Sequence, residues 1–308
     1  MRTERIIELD IAKGICILLM VIGHSGMTNI VHHMIYAFHM PFFFFISGVT
    51  TNVNRSFRVF SISKVNGLLV PFLIYYLIHV PSYAYIYNRN IMEYFKWESF
   101  NGIDNALWFI PILFFAQLIN WMIPRHSFIE MVSIVLLAAF SSFLCIEGIH
   151  LPWNLSILGL AASFVLLGRI LSVEGCQTFI FSESIYSKIW IMITTFFLLF
   201  LISNHYHLAM SFDVIEPTLL IMVGALAGII CVLMVSSIIK RSFRMLSQFL
   251  AYTGANTFLF VGFSQAILKF ENYYIRDMVV LKYVLLLISL YILIWIKNQF
   301  PLAKALRL

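Results

Sequence analysis

The chain has 308 residues, of which 61% are hydrophobic and only 11% are charged, and its formal net charge is +6. A soluble domain typically has about 25% charged residues, so this composition excludes a soluble protein and indicates a polytopic membrane protein. The positive charge is not organised into a nucleic-acid-binding motif, and no nucleic-acid partner is expected. The four cysteines have neither metal-ligand nor disulfide spacing, so no metal site is expected.

The first predicted span, 7–26, is apolar but contains Asp10, Lys13 and His24. Lys13 and His24 are eleven residues apart, so a helix places both side chains on one face, about 16 Å apart along its axis. Ionisable groups at membrane depth are costly and indicate a functional site. Two interpretations remain open: catalytic chemistry at His24, or a structural Asp10–Lys13 ion pair together with a hydrogen-bonded His24.

A short polar turn precedes the second predicted span, 34–52, which contains His39 and Pro41 followed by four phenylalanines. Proline is accommodated in the first turn of a helix, so His39 is predicted to lie near the outer end of this span. It is interpreted either as an interfacial histidine or as a second polar group that faces His24.

The apolar segments along the chain predict an all-α bundle of about ten transmembrane helices. The bundle is expected to form a single domain over residues 1–308, with both termini in the cytoplasm. The predicted spans are 7–26, 34–52, 65–81, 105–124, 129–147, 153–172, 187–204, 217–238, 245–268 and 278–296. This arrangement puts 15 of the 20 Lys and Arg residues inside, and the five outside are Arg89, Lys96, Lys269, Arg276 and Lys282. Cytoplasmic enrichment of basic residues supports the orientation.

Two further regions have both a structural and a functional interpretation. Arg55, Arg58 and Lys64 follow the second span; they either mark the cytoplasmic side or bind phosphates, which guanidinium groups contact in a bidentate manner. The aromatic outer segment 82–104 and the nearby Trp108 form either an interfacial belt or a surface for sugar rings.

Several of these elements together resemble the membrane acyltransferase-3 family, whose bacterial members are integral-membrane enzymes that move acyl groups, usually acetyl, onto cell-surface sugars. The matching residues are Leu9-Asp10-x-x-Lys13-Gly14, His24, His39-Met40-Pro41, Phe43-Phe44, Ser47-Gly48, Arg55-x-x-Arg58, Leu107-Trp108-Phe109-Ile110 and Gly254-Ala255-Asn256-Thr257. The chain departs from the family where members often carry a histidine, because Ser264 occupies that position.

The resemblance implies an O-acetyltransferase of the bacterial cytoplasmic (inner) membrane. Its donor would be acetyl-CoA, and its acceptor a hydroxyl of a cell-surface polysaccharide such as an exopolysaccharide or O-antigen, or of a lipid-linked glycan. His24 would be the general base or a transient acyl carrier, supported by Asp10, Lys13 and His39. The remaining residues with implied roles are Arg55, Arg58 and Lys64 for the coenzyme A phosphates and Trp108 for the acceptor.

Two alternatives come from other functional classes. A transporter or glycan flippase would use the intramembrane polar residues as a pathway, but it would favour inverted repeats, and none is visible in the sequence. A catalytically silent assembly partner would tolerate loss of His24.

Overall fold

The computed structural model describes residues 6–24, 29–88, 90–95, 106–206, 208–210, 214–215, 218–275 and 278–300. The α-helices in chain order are α1 (Ile7–Gly23), α2 (Asn29–Thr50), α3 (Phe57–Lys64), α4 (Val70–Tyr87), α5 (Phe109–Met122), α6 (Ser127–Ile146), α7 (Leu158–Gly175), α8 (Ile185–His205), α9 (Thr218–Ser242), α10 (Arg244–Ala255), α11 (Thr257–Tyr274) and α12 (Val279–Gln299). Leu208–Ala209 (β1) and Val214–Ile215 (β2) form a two-residue antiparallel pair after α8. The remaining turns are π-helical (Val65–Leu69, Cys176–Phe181) or 3-10 helical (Ile91–Phe95, Ala106–Trp108, Pro152–Ile157).

The described helices confirm an all-α, multi-pass membrane protein. Seven of them are long and apolar enough to cross a bilayer: Ile30–Thr50, Phe57–Tyr87, Ser127–Ile146, Pro152–Thr178, Ile185–His205, Leu219–Ser242 and Val280–Gln299. The other predicted spans correspond to α1, α5 and the pair α10–α11, which are shorter or less apolar. The total of ten spans and the cytoplasmic position of the termini stay predictions.

The ninth predicted span, 245–268, is divided into two helices at Asn256. The backbone of Asn256 leaves the helical region, with φ −117° and ψ 21°. Its side-chain amide donates a 2.8 Å hydrogen bond to the carbonyl oxygen of Tyr252. Asparagine side chains that bond to nearby backbone compete with helix continuation, which explains the interruption.

The second predicted span begins earlier than expected, and this changes the position of His39. Because α2 starts at Asn29, both His39 and Pro41 lie in its interior. The prediction that His39 lies near the outer helix end, with Pro41 in the first turn, is therefore wrong. Pro41 has no N–H to donate to the carbonyl of Ala37, so it weakens the helix in its middle rather than starting it.

The chain divides into two compact units. The first comprises Met1–Val53, Ile119–His150 and Ser156–Thr257. The second comprises Asn54–Leu118, Leu151–Leu155 and Phe258–Leu308. The single domain over residues 1–308 stays a prediction.

Within the first unit, glycines allow two helix pairs to approach closely. A Cβ on Gly14 would overlap the carbonyl of Leu250, and one on Gly254 would overlap the carbonyl of Asp10, so α1 and α10 touch backbone to backbone. Gly48 of α2 and Gly168 of α7 form a similar crossing. Small residues serve membrane helices in this way because close backbone approach provides packing without a hydrophobic driving force.

A buried guanidinium also stabilises the first unit. Arg169 of α7 forms a 2.8 Å ion pair with Glu130 of α6. It also donates to the carbonyl oxygens of Ile123, at 3.0 Å, and Asn120, near the end of α5. These contacts satisfy carbonyls that a helix end leaves without partners, so Arg169 has a structural role beyond marking the cytoplasmic side.

In the second unit, α4 packs against α11 around a glycine. The ring of Tyr75 packs on Gly262, where an added Cβ would come within 2.9 Å of it. The Nε2–H of His79 donates to the Gly262 carbonyl. The Phe263 ring lies 5.2 Å from Tyr75 and 5.4 Å from His79 between centroids. His79 is 2% exposed, so it belongs to the buried contact between these two helices.

Candidate active site

The cytoplasmic half of α1, in the predicted orientation, carries an ion pair. The Lys13 Nζ lies 2.9 Å from Asp10 Oδ1 across one helical turn. Asp10 is buried and Lys13 is half-buried. The ion pair of the structural interpretation is therefore present. An ammonium has three N–H donors, so Lys13 can contact a further group without losing Asp10.

The segment Gly254–Thr257 comes close to this pair, although it is far away in the sequence. Gly254 of α10 lies directly against the carbonyl of Asp10 and the amide of Gly14. The helix then ends at Asn256, two residues later. Two of the motifs quoted above thus form one backbone contact, and any larger residue at Gly254 would push α10 away from the Asp10–Lys13 pair.

His24 follows α1 directly, and its imidazole is solvent-exposed. Its Nδ1 lies 3.0 Å from the hydroxyl oxygen of Tyr36 on α2. Either atom can be the donor. If Nδ1 carries the proton and donates to Tyr36, then Nε2 has the lone pair that a general base or a nucleophile needs.

Tyr36 connects three histidines and was not predicted as a site residue. Its ring stacks on His32 at 4.0 Å between centroids, and it meets His24 edge-on at 5.7 Å. It also meets His39 edge-on at 5.0 Å. His32, Tyr36 and His39 lie four and three residues apart, which is the spacing of one helix face. This spacing can be read from the sequence, but it indicates a shared helix face only if α2 starts before residue 34.

His39 is 3% exposed and lies inside α2. Its Nδ1 lies 2.8 Å from the carbonyl oxygen of Ile35. A carbonyl can only accept, so Nδ1 carries the proton and Nε2 of the neutral ring is an acceptor. His39 is thus fixed in one tautomer. Its ring contacts the Tyr36 ring, which in turn contacts His24.

The residues expected to bind coenzyme A and the acceptor lie in the second unit. Arg55 and Arg58 are exposed beside the start of α3. The Lys64 ammonium lies 5.2 Å from the centre of the Phe60 ring. Trp108 is half-buried, and its ring meets that of Phe109 edge-on at 6.3 Å. Much of the aromatic segment 82–104 lies outside the described residues, and the ligand roles of these four side chains stay predictions.

Ser264, which occupies the position of the family's histidine, is fully buried in α11 of the second unit. Within the described part of the chain, its hydroxyl oxygen has no hydrogen-bond partner. The same described ranges contain no cluster of three His, Cys, Asp or Glu side chains that could hold a metal ion.

In a comparison with protein families, a family model described as an acyltransferase domain matches residues 6–299. The match covers nearly all 308 residues and includes both units. No curated protein and no solved structure was found to match the chain.

Proposed function

The chain belongs to the acyltransferase-3 family, and we propose that it is an O-acetyltransferase of the bacterial cytoplasmic membrane. Its donor is acetyl-CoA, and its acceptor is a hydroxyl of a cell-surface or lipid-linked glycan. The observation that carries this proposal is the exposed imidazole of His24, hydrogen-bonded to Tyr36 at the end of an apolar helix. An imidazole that is both accessible and oriented can do proton-transfer chemistry.

In the general-base reaction, the sugar hydroxyl attacks the thioester carbon while His24 Nε2 takes its proton. The new C–O bond forms, the C–S bond breaks, and coenzyme A leaves as the thiol after the proton is returned to sulfur. Sugar hydroxyls are poor nucleophiles without such a base, and general-base catalysis contributes about 10²- to 10⁴-fold in rate.

In the acyl-carrier reaction, Nε2 itself attacks the thioester carbon, the N–C bond forms, the C–S bond breaks, and coenzyme A leaves as the thiolate. The sugar hydroxyl then attacks the acyl carbon, the N–C bond breaks to free His24, and the hydroxyl proton passes to the thiolate. In both reactions Nδ1 carries a proton, and this N–H can donate a hydrogen bond to the Tyr36 hydroxyl oxygen. The Tyr36 contact therefore supports either version equally.

The other site residues support His24 or bind the substrates. Asp10 holds the Lys13 ammonium at 2.9 Å, and together they maintain a polar path along α1. His39 helps to hold the Tyr36 ring, which it meets edge-on at 5.0 Å between centroids. Arg55, Arg58 and Lys64 bind phosphates of coenzyme A, and Trp108 contacts the acceptor.

The test uses the full chain, purified in nanodiscs, with acetyl-CoA labelled in the acetyl group and a lipid-linked glycan extract as acceptor. We expect label in the glycan fraction for the wild type and a loss of at least 10²-fold for His24→Ala. His205→Ala is the matched control, because His205 is also an exposed histidine at a helix end. Equal transfer by the wild type and His24→Ala would refute the role of His24.

A further inference from the structure

A cavity of about 270 Å³ lies in the first unit at the beginning of α1. Its lining combines apolar, polar and charged side chains: Ile6, Ile7, Glu8, Gln177, Phe181, Ser182 and Lys240. It lies at the ends of two stretches that are long and apolar enough to cross a bilayer, Pro152–Thr178 and Leu219–Ser242. The ends of membrane-spanning helices lie at the depth of the lipid head groups, so a lipid can reach this cavity from the bilayer.

One wall of the cavity belongs to the irregular stretch after α7. Cys176–Phe181 form a π-helical turn, and wide turns of this kind are frequent at functional sites. Lys188, near the start of α8, holds the turn in place. Its ammonium donates to the Phe181 carbonyl oxygen at 2.9 Å and to Ser237 Oγ at 2.7 Å. This wall is therefore fixed against α9, the helix that provides the lysine of the cavity.

The charged side chains that line the cavity form a neutral ion pair. Lys240 Nζ lies 2.6 Å from Glu8 Oε1, and the two side chains are 43% and 11% exposed. An ammonium has three N–H donors and a carboxylate has two acceptor oxygens, so each partner can bind a further group without breaking the pair. A simple anion would be attracted by Lys240 but repelled by Glu8, and a simple cation would meet the reverse. The pair therefore favours a ligand that carries both charges.

Lipids with a phosphoethanolamine head group carry both charges a few atoms apart. Their phosphodiester has a single negative charge, which one lysine can match, and their primary ammonium has N–H groups that a carboxylate can accept. A choline head group has no N–H to donate, and quaternary ammonium groups are typically bound by cages of several aromatic rings. Among the described side chains that line the cavity, Phe181 is the one aromatic ring, so the lining does not form such a cage.

We propose that this cavity binds the head group of phosphatidylethanolamine, with the phosphate on Lys240 and the ammonium on Glu8. The two ion pairs then lie head to tail, and each charge has neighbours of opposite sign. The side-chain amide of Gln177 offers a further N–H to the phosphodiester. Ile7, which is 45% exposed, packs beside the lipid chains. The bound lipid connects the start of α1 to the end of α9, whichever reaction the protein catalyses.

The test measures lipid binding to the full chain in detergent micelles by native mass spectrometry. Phosphatidylethanolamine, phosphatidylcholine and phosphatidylglycerol with the same acyl chains are titrated separately. We expect the first phosphatidylethanolamine to bind about tenfold or more tightly than either of the others, because neither has an ammonium that can donate a hydrogen bond to Glu8. Equal affinities for the three lipids in the wild type would overturn the proposal.

Variants of the ion pair assign the preference to the cavity. Glu8→Gln/Lys240→Gln removes both charges without leaving either unpaired, and it should abolish the preference for phosphatidylethanolamine. Glu8→Gln alone keeps the lysine and should shift the preference to the anionic phosphatidylglycerol. Arg244→Gln, which replaces an exposed cation at the start of α10 outside the cavity lining, is the matched control and should keep the wild-type preference. A preference that persists in the double variant, or that is lost in Arg244→Gln, would overturn the proposal.

Soluble glycerophosphoethanolamine, which has the head group but no acyl chains, distinguishes a lipid site from a site for a free zwitterion. We expect it to bind about tenfold or more weakly than phosphatidylethanolamine, because the contact of the acyl chains with the apolar rim is lost. Competition with the lipid at equal concentration would show that the cavity takes a soluble ligand, and it would overturn the lipid assignment.

Discussion

Removal of the Tyr36 hydroxyl gives the most specific test of the proposed chemistry. Tyr36→Phe removes the oxygen that lies 3.0 Å from His24 Nδ1 but keeps the ring that stacks on His32 at 4.0 Å. The aromatic packing of α2 therefore remains, and only the hydrogen bond is lost.

The size of the effect follows from the charge on the imidazole. A hydrogen bond between neutral groups contributes about 0.5–1.5 kcal/mol, and one to a charged group about 1.5–3 kcal/mol. As a general base, His24 becomes positively charged in the transition state, so the Tyr36 contact strengthens by about 1–1.5 kcal/mol. Losing it should lower kcat by about 5- to 12-fold. The KM for acetyl-CoA should stay within about twofold, because the ground state loses little.

Steady-state rates of labelled acetyl transfer, with acetyl-CoA and acceptor varied separately, measure this effect. Tyr186→Phe is the matched control, because Tyr186 is 77% exposed near the start of α8. Tyr36→Leu should lose more activity than Tyr36→Phe, since it also removes the ring between His24, His32 and His39. An unchanged kcat in Tyr36→Phe would show that the Nδ1 contact does not orient the catalytic imidazole.

Three other predictions follow from the loops, the termini and the helix crossings. Arg55→Gln/Arg58→Gln should weaken acetyl-CoA binding by about two to four decades, and by less if solvent screens the loop. Arg55→Lys/Arg58→Lys should recover only part of the lost affinity. Equal affinities in the wild type and both variants would leave the two arginines as topology signals. A reporter fused after Leu308 should be active only in the cytoplasm, and activity only outside would contradict the ten-span topology. Gly168→Leu should destabilise the protein by about 3 kcal/mol or more, because the new side chain meets the backbone of α2. Ile170→Leu, at an exposed position, is the control and should not destabilise it. Unchanged thermal unfolding of Gly168→Leu would contradict the close crossing of α2 and α7.

The helices were predictable because hydrophobic length is a local property. Each predicted span has a helix near it, and Asp10 and Lys13 form the ion pair that their spacing allows. The break at Asn256 was less visible, since residues 245–268 are apolar enough for one helix. The helix ends where the Asn256 side-chain amide donates a hydrogen bond to the carbonyl oxygen of Tyr252, which hydropathy does not report.

The role of Tyr36 was missed because the start of α2 was placed too late. With the helix starting at residue 34, His32 falls in a loop and the His-x3-Tyr-x2-His spacing has no meaning. The proximity of Gly254 to Asp10 could not be inferred from spacing either, because it depends on which helices pack together. The contact of His79 could not be inferred for the same reason: its partner, the carbonyl of Gly262, is distant in sequence.

The most direct test of the central claim is an NMR comparison of the surface glycans of a bacterium with and without this gene. Complementation with the wild type and with His205→Ala should restore an O-acetyl signal at one hydroxyl position, and complementation with His24→Ala should not, at equal protein levels in the membrane. Restoration of the same O-acetyl signal by His24→Ala, or glycans without any change when the gene is removed, would contradict a His24-dependent acetyl transfer to a surface glycan.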